Sequence, residues 1–361
     1  MRHSSLIWPG VPLALGAAVL FGASTPAAKV LLDHSSAGGI DPWMLAGLLY
    51  LGSGCGLGLF ALGRLALGTP RGEARIGARD LPWLGLVVLS GGVAAPVLLM
   101  VGLSLVSASS ASLLLNLEGL ATMAIAWLAF HEHLDRRIFA GAMAILLGAA
   151  LLRFQGGAQS IGWGGLAIAG ACVCWGIDNN FTRKLSFSDP VHLTLTKGLV
   201  AGLVNLALAR LAGAAWPGAV LAAEAMLVGL LGYGVSLVMF THALRHLGTA
   251  RTAAYFSTAP FIGSLLAILV LHEPAHWQFW VAALLMGSGV AAHLIEQHEH
   301  KHMHEATTHT HRHTHDLHHQ HTHGPNDPGG EPHVHEHLHE TMEHSHAHLP
   351  DTHHRHRHVA S

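Results

Sequence analysis

The stretch THTHRHTHDLHHQHTHG, residues 308–324, sets a histidine at nearly every second position with almost nothing apolar between them. It is the densest part of a tract, His298 to His358, that holds 23 of the chain's 33 histidines. Free imidazole titrates at about pH 6.5, so near neutrality most of these rings are uncharged and keep a lone pair for a metal ion. His-rich composition reads as metal binding. The expected ligands are His309, His311, His313, His315, His318, His319, His321, His323, His333, His335, His337 and His339. Imidazole suits Zn, Cu, Ni and Co, and the lack of cysteine in the tract argues against a site for soft Cu(I), which leaves Ni(II), Co(II) or Zn(II) as the expected ion. The competing reading is a solubilising or pH-sensing tail.

A second set of reactive residues lies inside apolar runs: Lys29, Glu118, Asp178, Lys197 and His242, with Asn116, Asn179 and Asn180 as neutral companions. A charge at mid-bilayer costs about 2.5–3.5 kcal/mol on insertion scales, so those that persist usually face a bundle interior and serve function. Cys174 and Asp178, four apart, share a helix face, whereas Asn116 and Glu118, two apart, do not. Cys174, Asp178 and Glu118 together would offer the mixed sulfur and oxygen donors that a divalent metal accepts. The two carboxylates could equally carry protons, or Glu118 could simply pair with Lys197 or Lys29. His131-Glu132 and His272-Glu273 resemble half of a zinc motif, but neither has the second histidine of H-E-x-x-H.

These residues must be held by something, and the composition says what. The chain is 51% hydrophobic and 11% charged, against roughly 25% charged in a soluble domain. Ten runs approach the roughly 20 residues a helix needs to cross a bilayer: 11–32, 43–65, 82–103, 106–129, 137–153, 163–182, 191–212, 222–244, 252–271 and 276–295. The formal charge of −2 excludes a nucleic-acid partner of the usual basic kind. No G-x-x-x-x-G-K-[ST] phosphate loop is present, so nothing points to an enzyme or to nucleotide-driven work. The first run follows Met1-Arg2-His3, but its repeat later in the chain argues for a retained helix and against a signal peptide.

Basic residues set the orientation. With the N-terminus inside, the cytoplasmic loops hold Arg64, Arg71, Arg75 and Arg79, then Arg136 and Arg137, then Arg183 and Lys184, then Arg245 and Arg251. Ten crossings return the tail to the cytoplasm. Low aliphatic content beyond Gln297 predicts a tail that is disordered on its own.

The two halves match. GAAVLFGASTPAAKVL (16–31) aligns with GACVCWGIDNNFTRKL (170–185), which pairs Phe21-Gly22 with Trp175-Gly176. AWLAFHEHL (126–134) aligns with AILVLHEPA (267–275), and Asp41-Pro42 with Asp189-Pro190. Five helices per unit, an odd number, force the copies into opposite orientations, a plan used by secondary transporters with a midplane site. The expected fold is therefore an all-α integral membrane protein of ten transmembrane helices in two inverted repeats. Its divisions are a short N-terminus (1–10), the repeats (11–153 and 154–296) and the tail (297–361).

This duplicated set resembles the drug/metabolite transporter superfamily, in particular its EamA-type proteins, over about residues 11–295. The resemblance implies a proton- or gradient-coupled carrier that exports small solutes and needs no cofactor, with the repeated Glu a structural residue at a helix end. Two departures stand out. Where the family has a proline in the fourth helix, Pro260 keeps it in the second half, but the first half reads LLLNLEGLA with Gly119 there and Glu118 before it. The family's basic residue early in the second helix is met by Lys197 and not by Leu49.

The resulting expectation is a multi-pass carrier of a bacterial inner membrane, its partners the lipid bilayer and a small solute or metal ion, with a homodimer left open. It exports a divalent metal that the tail collects, along a path lined by Glu118, Asp178, Asn116, Asn179, Asn180, Lys197 and Lys29. The rival is an exporter of an organic metabolite or drug with a metal-sensing tail. A membrane-tethered metal store ranks last.

Overall fold

The computed structural model describes residues 10–33, 39–67, 80–130, 136–152, 162–182, 190–247 and 249–294, and the tail segments 298–304, 307–313, 333–339 and 342–348. The helices are α1 (Gly10–Asp33), α2 (Pro42–Ala66), α3 (Leu81–Leu105), α4 (Ala108–Leu114 and Leu117–Phe130), α5 (Arg136–Leu152), α6 (Gly162–Thr182), α7 (Pro190–Leu211), α8 (219–247), α9 (Thr249–Phe256 and Ala259–Val270) and α10 (Trp277–Leu294). Helix is the natural state of such runs, because only internal pairing satisfies backbone N–H and C=O groups in lipid. Local signals place the starts. Asp41 accepts from Trp43 N at 2.9 Å and Met44 N at 3.1 Å to cap α2, with Pro42 opening the helix. Ser107 accepts from Ser110 N to cap α4.

Seven described helical stretches are long and apolar enough to cross a membrane, fewer than the ten runs read from the sequence. The three outside that group are α5, α6 and α10. With 17 residues α5 spans about 26 Å, and α10 with 18 residues about 27 Å, each under the ~30 Å hydrocarbon core. The third, α6, carries Asp178, Asn179 and Asn180, which lower its hydropathy.

Two helices contain a wide turn. Val88–Ala94 in α3 and Leu230–Val235 in α8 are π-helical, and each contains paired or alternating glycines. Such turns free carbonyls from the regular ladder and recur at functional sites.

In the packing, α2 lies along α7 and α5 along α10, while α1 packs on α8 and α9, and α6 packs on α3 and α4. Close approach depends on small residues, as it does between helices in lipid. A Cβ on Gly198 would come within 2.7 Å of the Gly54 amide, so α2 and α7 touch backbone to backbone. At the other end of α9, His272 has a positive φ of 55°. This conformation costs a non-glycine residue roughly 1–2 kcal/mol, and the adjoining Glu273 accepts from Ala108 N at 2.7 Å and Ser109 N at 2.8 Å. The carboxylate thus caps α4 from the opposite half of the chain. His131 and Glu132 lie outside the described residues.

The last described part of the chain is the tail. It carries β1 (His298–His304), β2 (Thr307–His313), β3 (His333–His339) and β4 (Met342–His348), with β1 antiparallel to β4 and β2 antiparallel to β3. Composition alone predicts no core here, but alternation of histidine with other residues has the period of a strand.

Candidate functional site: a polar junction of α3, α4, α6 and α7

Four of the expected path residues stand on one stretch of two helices. Glu118 opens the second segment of α4, just after the break at Leu115 and Asn116. Asp178, Asn179 and Asn180 follow one another on α6, which packs against that segment. Asn179 Nδ2 donates to Glu118 Oε1 at 3.0 Å and to Thr122 Oγ1 at 3.2 Å. Asn180 Nδ2 donates to the carbonyls of Thr122 at 2.9 Å and Gly176 at 2.8 Å. Its Oδ1 is buried without a hydrogen-bond partner among the described residues. A buried acceptor in that state is costly, and a water or a passing donor relieves it.

Asp178 is only 4% exposed and is bound by the Lys197 ammonium of α7, with Thr182 Oγ1 donating to its other oxygen at 3.2 Å. Pairing of this kind is what permits a buried charge. Its neighbour on α3 is Gly91, where any Cβ would run into the carboxylate. Lys197 therefore serves Asp178. Lys29 is bound to Asp33 at 3.3 Å and donates to the Leu103 carbonyl at 2.9 Å. Glu118 has its bond from Asn179, and Asn116 donates to the Leu113 carbonyl at 2.8 Å, closing the turn where α4 breaks.

The three-ligand set of Cys174, Asp178 and Glu118 is not assembled: among the described residues of the bundle no group of three or more His, Cys, Asp or Glu gathers that could hold a metal ion. Instead Lys197 pairs with one carboxylate and an amide donor with the other. Cys172 is buried and its thiol donates to the Leu114 carbonyl at 3.7 Å, another closure of the same break.

Several residues of the junction were not singled out in the sequence. The π-turn of α3 exposes the Gly91 and Gly92 carbonyls; Tyr50 Oη and Trp175 Nε1 donate to the first at 2.8 and 3.1 Å, and Asn205 Nδ2 to the second at 3.1 Å. Asn205 in turn accepts from Trp43 Nε1 at 3.3 Å. Four helices, α2, α3, α6 and α7, are thus tied at one point. The signal was there in Ser90-Gly91-Gly92 followed by Pro96, a glycine pair where a regular helix would avoid one. Beside this point Trp83 stacks on Phe181, centroids 5.4 Å apart.

Of the ligand histidines expected in the tail, His309, His311, His313, His333, His335, His337 and His339 lie on β2 and β3. His315, His318, His319, His321 and His323 lie outside the described residues.

Comparison with known proteins supplies context for this geometry. A family model described as the EamA-like transporter family matches residues 8–154 and again 162–294. An uncharacterized transporter of Methanothermobacter thermautotrophicus is 30% identical over 226 residues, which cover 60% of this chain and 66% of that protein, slightly under two thirds of its length. A solved crystal structure aligns with a TM-score of 0.56 over 79% of this chain and 95% of its own, at 19% identity, a likeness of fold alone.

Proposed function

This chain belongs to the EamA-like transporter family, and we propose that it is a carrier of a small solute that crosses a bacterial cytoplasmic membrane ten times. The crossings form two inverted five-helix repeats with both termini in the cytoplasm, and the cargo is a divalent transition metal, Ni(II), Co(II) or Zn(II), exported from the cell. The two matched segments and the reciprocal packing, α1 on α8 and α9, α6 on α3 and α4, support the inverted repeat. Alternating access then follows from one half rocking against the other around the junction.

The observation that carries the path is the polar junction itself: Glu118 with Asn179, and Asp178 with Lys197, beside a broken helix and an unpartnered Asn180 oxygen. The histidine tail supports metal as cargo, gathering ions on the cytoplasmic side for release into that path.

A second reading, export of an organic solute with the tail as metal sensor, is favoured by one observation. Lys197 neutralises Asp178, and the described bundle gathers no three-ligand set, so a solute with its own hydrogen-bonding groups fits the junction as well as a bare ion. Everted vesicles bearing the protein, with and without residues 298–361, decide between them through gradient-driven uptake of Ni, Co and Zn. Uptake that survives tail removal at lower apparent affinity supports metal export. Absence of uptake in both forms overturns it in favour of the organic solute.

A further inference from the structure

The junction of α3, α4, α6 and α7 offers a cation acceptors without offering it a coordination shell. Glu118 Oε1 takes the Asn179 amide at 3.0 Å, and the second carboxylate oxygen receives no hydrogen bond among the described residues. Asn180 is 1% exposed with its Oδ1 unpartnered, although its Nδ2 is fixed on the Thr122 and Gly176 carbonyls. Thr122 joins the two. Its backbone carbonyl holds Asn180, and its hydroxyl accepts from Asn179 and donates to the Glu118 carbonyl at 2.9 Å. Access is graded across the group: Asn179 is exposed, Glu118 half-buried and Asn180 buried, and a Cβ on the adjoining Gly119 would meet nothing within 4 Å.

Charge points the same way. Lys197 and Asp178 cancel, so the Glu118 carboxylate leaves the junction with a net negative charge that attracts a cation. A bare divalent ion of the transition series asks for about four to six ligands at about 2.0–2.3 Å, and the described bundle gathers no such set. An ion that keeps its first water shell asks for something else. Metal–water distances of about 2.0–2.1 Å and O–H···O distances of about 2.5–3.0 Å put its centre about 4–5 Å from each protein oxygen. The metal-polarised waters are donors on every side, and they need acceptors of the kind Glu118 and Asn180 leave open. Hydrogen bonds to an ionised oxygen are roughly twice as strong as neutral ones, and a bridging water gives up little of a direct contact's enthalpy.

We propose that the junction reads its cargo through the cargo's own hydrogen-bond donors, holding a hydrated divalent ion between Glu118 and Asn180 without stripping its waters. This rests on metal being the cargo. Rocking of the halves then has only to trade one set of acceptors for another, and no metal–protein bond is made or broken along the path. The absence of a three-ligand set in the described bundle is what such a path requires.

The test uses hexaamminecobalt(III), an exchange-inert ion whose bound ammonia presents N–H donors as an aquo-ion presents O–H. It has no open coordination position, so histidine cannot ligate it and the tail does not compete. In the full-length protein in detergent, equilibrium dialysis is expected to find it bound by the wild type and bound about tenfold or more weakly by Glu118→Gln. Glu224→Gln, which removes an exposed carboxylate of α8, should bind as the wild type does. Glu118→Gln keeps an acceptor for Asn179, and an unchanged melting temperature checks that its fold stands. In everted vesicles the same probe should inhibit Co(II) uptake. No binding by the wild type, or equal binding by Glu118→Gln, would overturn the proposal, and so would Co(II) uptake that the probe leaves untouched, since the ion would then enter stripped of water. Binding that depends on Glu118, with no uptake of Co, Ni or Zn, would overturn the metal as occupant and give the same acceptors to an organic ammonium. The dialysis thus judges the site, and the vesicles judge the cargo.

Discussion

Two junctions of this bundle are built alike and filled differently. Where α6 meets α3 and α4, Asp178 lies against Gly91 of a π-turn; where α1 meets α8 and α9, Ser24, which aligns with Asp178 in the repeat, lies against Gly232 of the other π-turn. Gly176 sits on the backbone of Ala121 and Thr122, and Gly22 on that of Ala259 and Gly263. The surroundings then part company. The first junction collects Lys197, Asn179, Glu118 and Thr122. The second collects rings: Phe21 with Tyr233 at 5.8 Å, Phe21 with Phe256 at 5.3 Å, and Phe240 with Phe256 at 4.8 Å. Small-residue contacts and a wide turn thus define the scaffold, and the chemistry is free to diverge on it. The ion pair lies at the first junction and the rings at the second, which is why the path proposed above runs through the first.

The largest effect that would test this contrast comes from Lys197→Met. It leaves Asp178 buried without its partner, at a cost of about 3–5 kcal/mol, read as a lowered melting temperature in detergent. Adding Asp178→Asn should recover most of that loss; a single variant as stable as the wild type would mean the ion pair does not organise the junction. Next, Gly91→Ala forces a methyl group onto the Asp178 carboxylate and should destabilise by about 1–3 kcal/mol while also impairing uptake. Gly232→Ala meets Ser24 first, 2.5 Å away, and should alter stability without touching solute selectivity. If both variants change selectivity equally, the two junctions share the work.

Smaller, and confined to function, is Glu118→Gln. It keeps an acceptor for Asn179 and should spare the fold, yet reduce vesicle uptake by about tenfold or more, roughly 1.4 kcal/mol; unchanged uptake would remove Glu118 from the path. Least of all, Phe256→Leu trims a ring contact and should cost less than about 1.5 kcal/mol with uptake intact. A transport defect there would place solute against the aromatic junction.

Much of the scaffold was legible in the residues. Apolar runs marked the helices, and the aligned Phe21-Gly22 and Trp175-Gly176 turned out to be the close-contact points of α1 and α6. The sequence also named the buried charges, because lipid makes each one conspicuous. What it left open was who holds whom. Lys197 and Asp178 are 19 residues apart on successive helices, and their meeting depends on how α6 and α7 are rotated, which no local pattern records. Glu118 as an amide-bonded carboxylate depended likewise on Asn179, 61 residues on. Counted from the start of its helical segment, Glu118 occupies the place that Pro260 holds in α9, one residue from the alignment with Gly119 that the repeat suggested. The π-turns escaped notice because glycine in an apolar run reads as packing.

Glu273 has a consequence in time as well as in space. Its carboxylate caps amides at Ala108 and Ser109, 165 and 164 residues earlier in the chain. At synthesis rates of about 5–20 residues per second, the clasp leaves the ribosome roughly 8–33 s after the helix end it completes. During that interval the first half sits in the membrane with an unfinished terminus, and only arrival of the second half closes it. Although the halves are copies, neither can mature by itself.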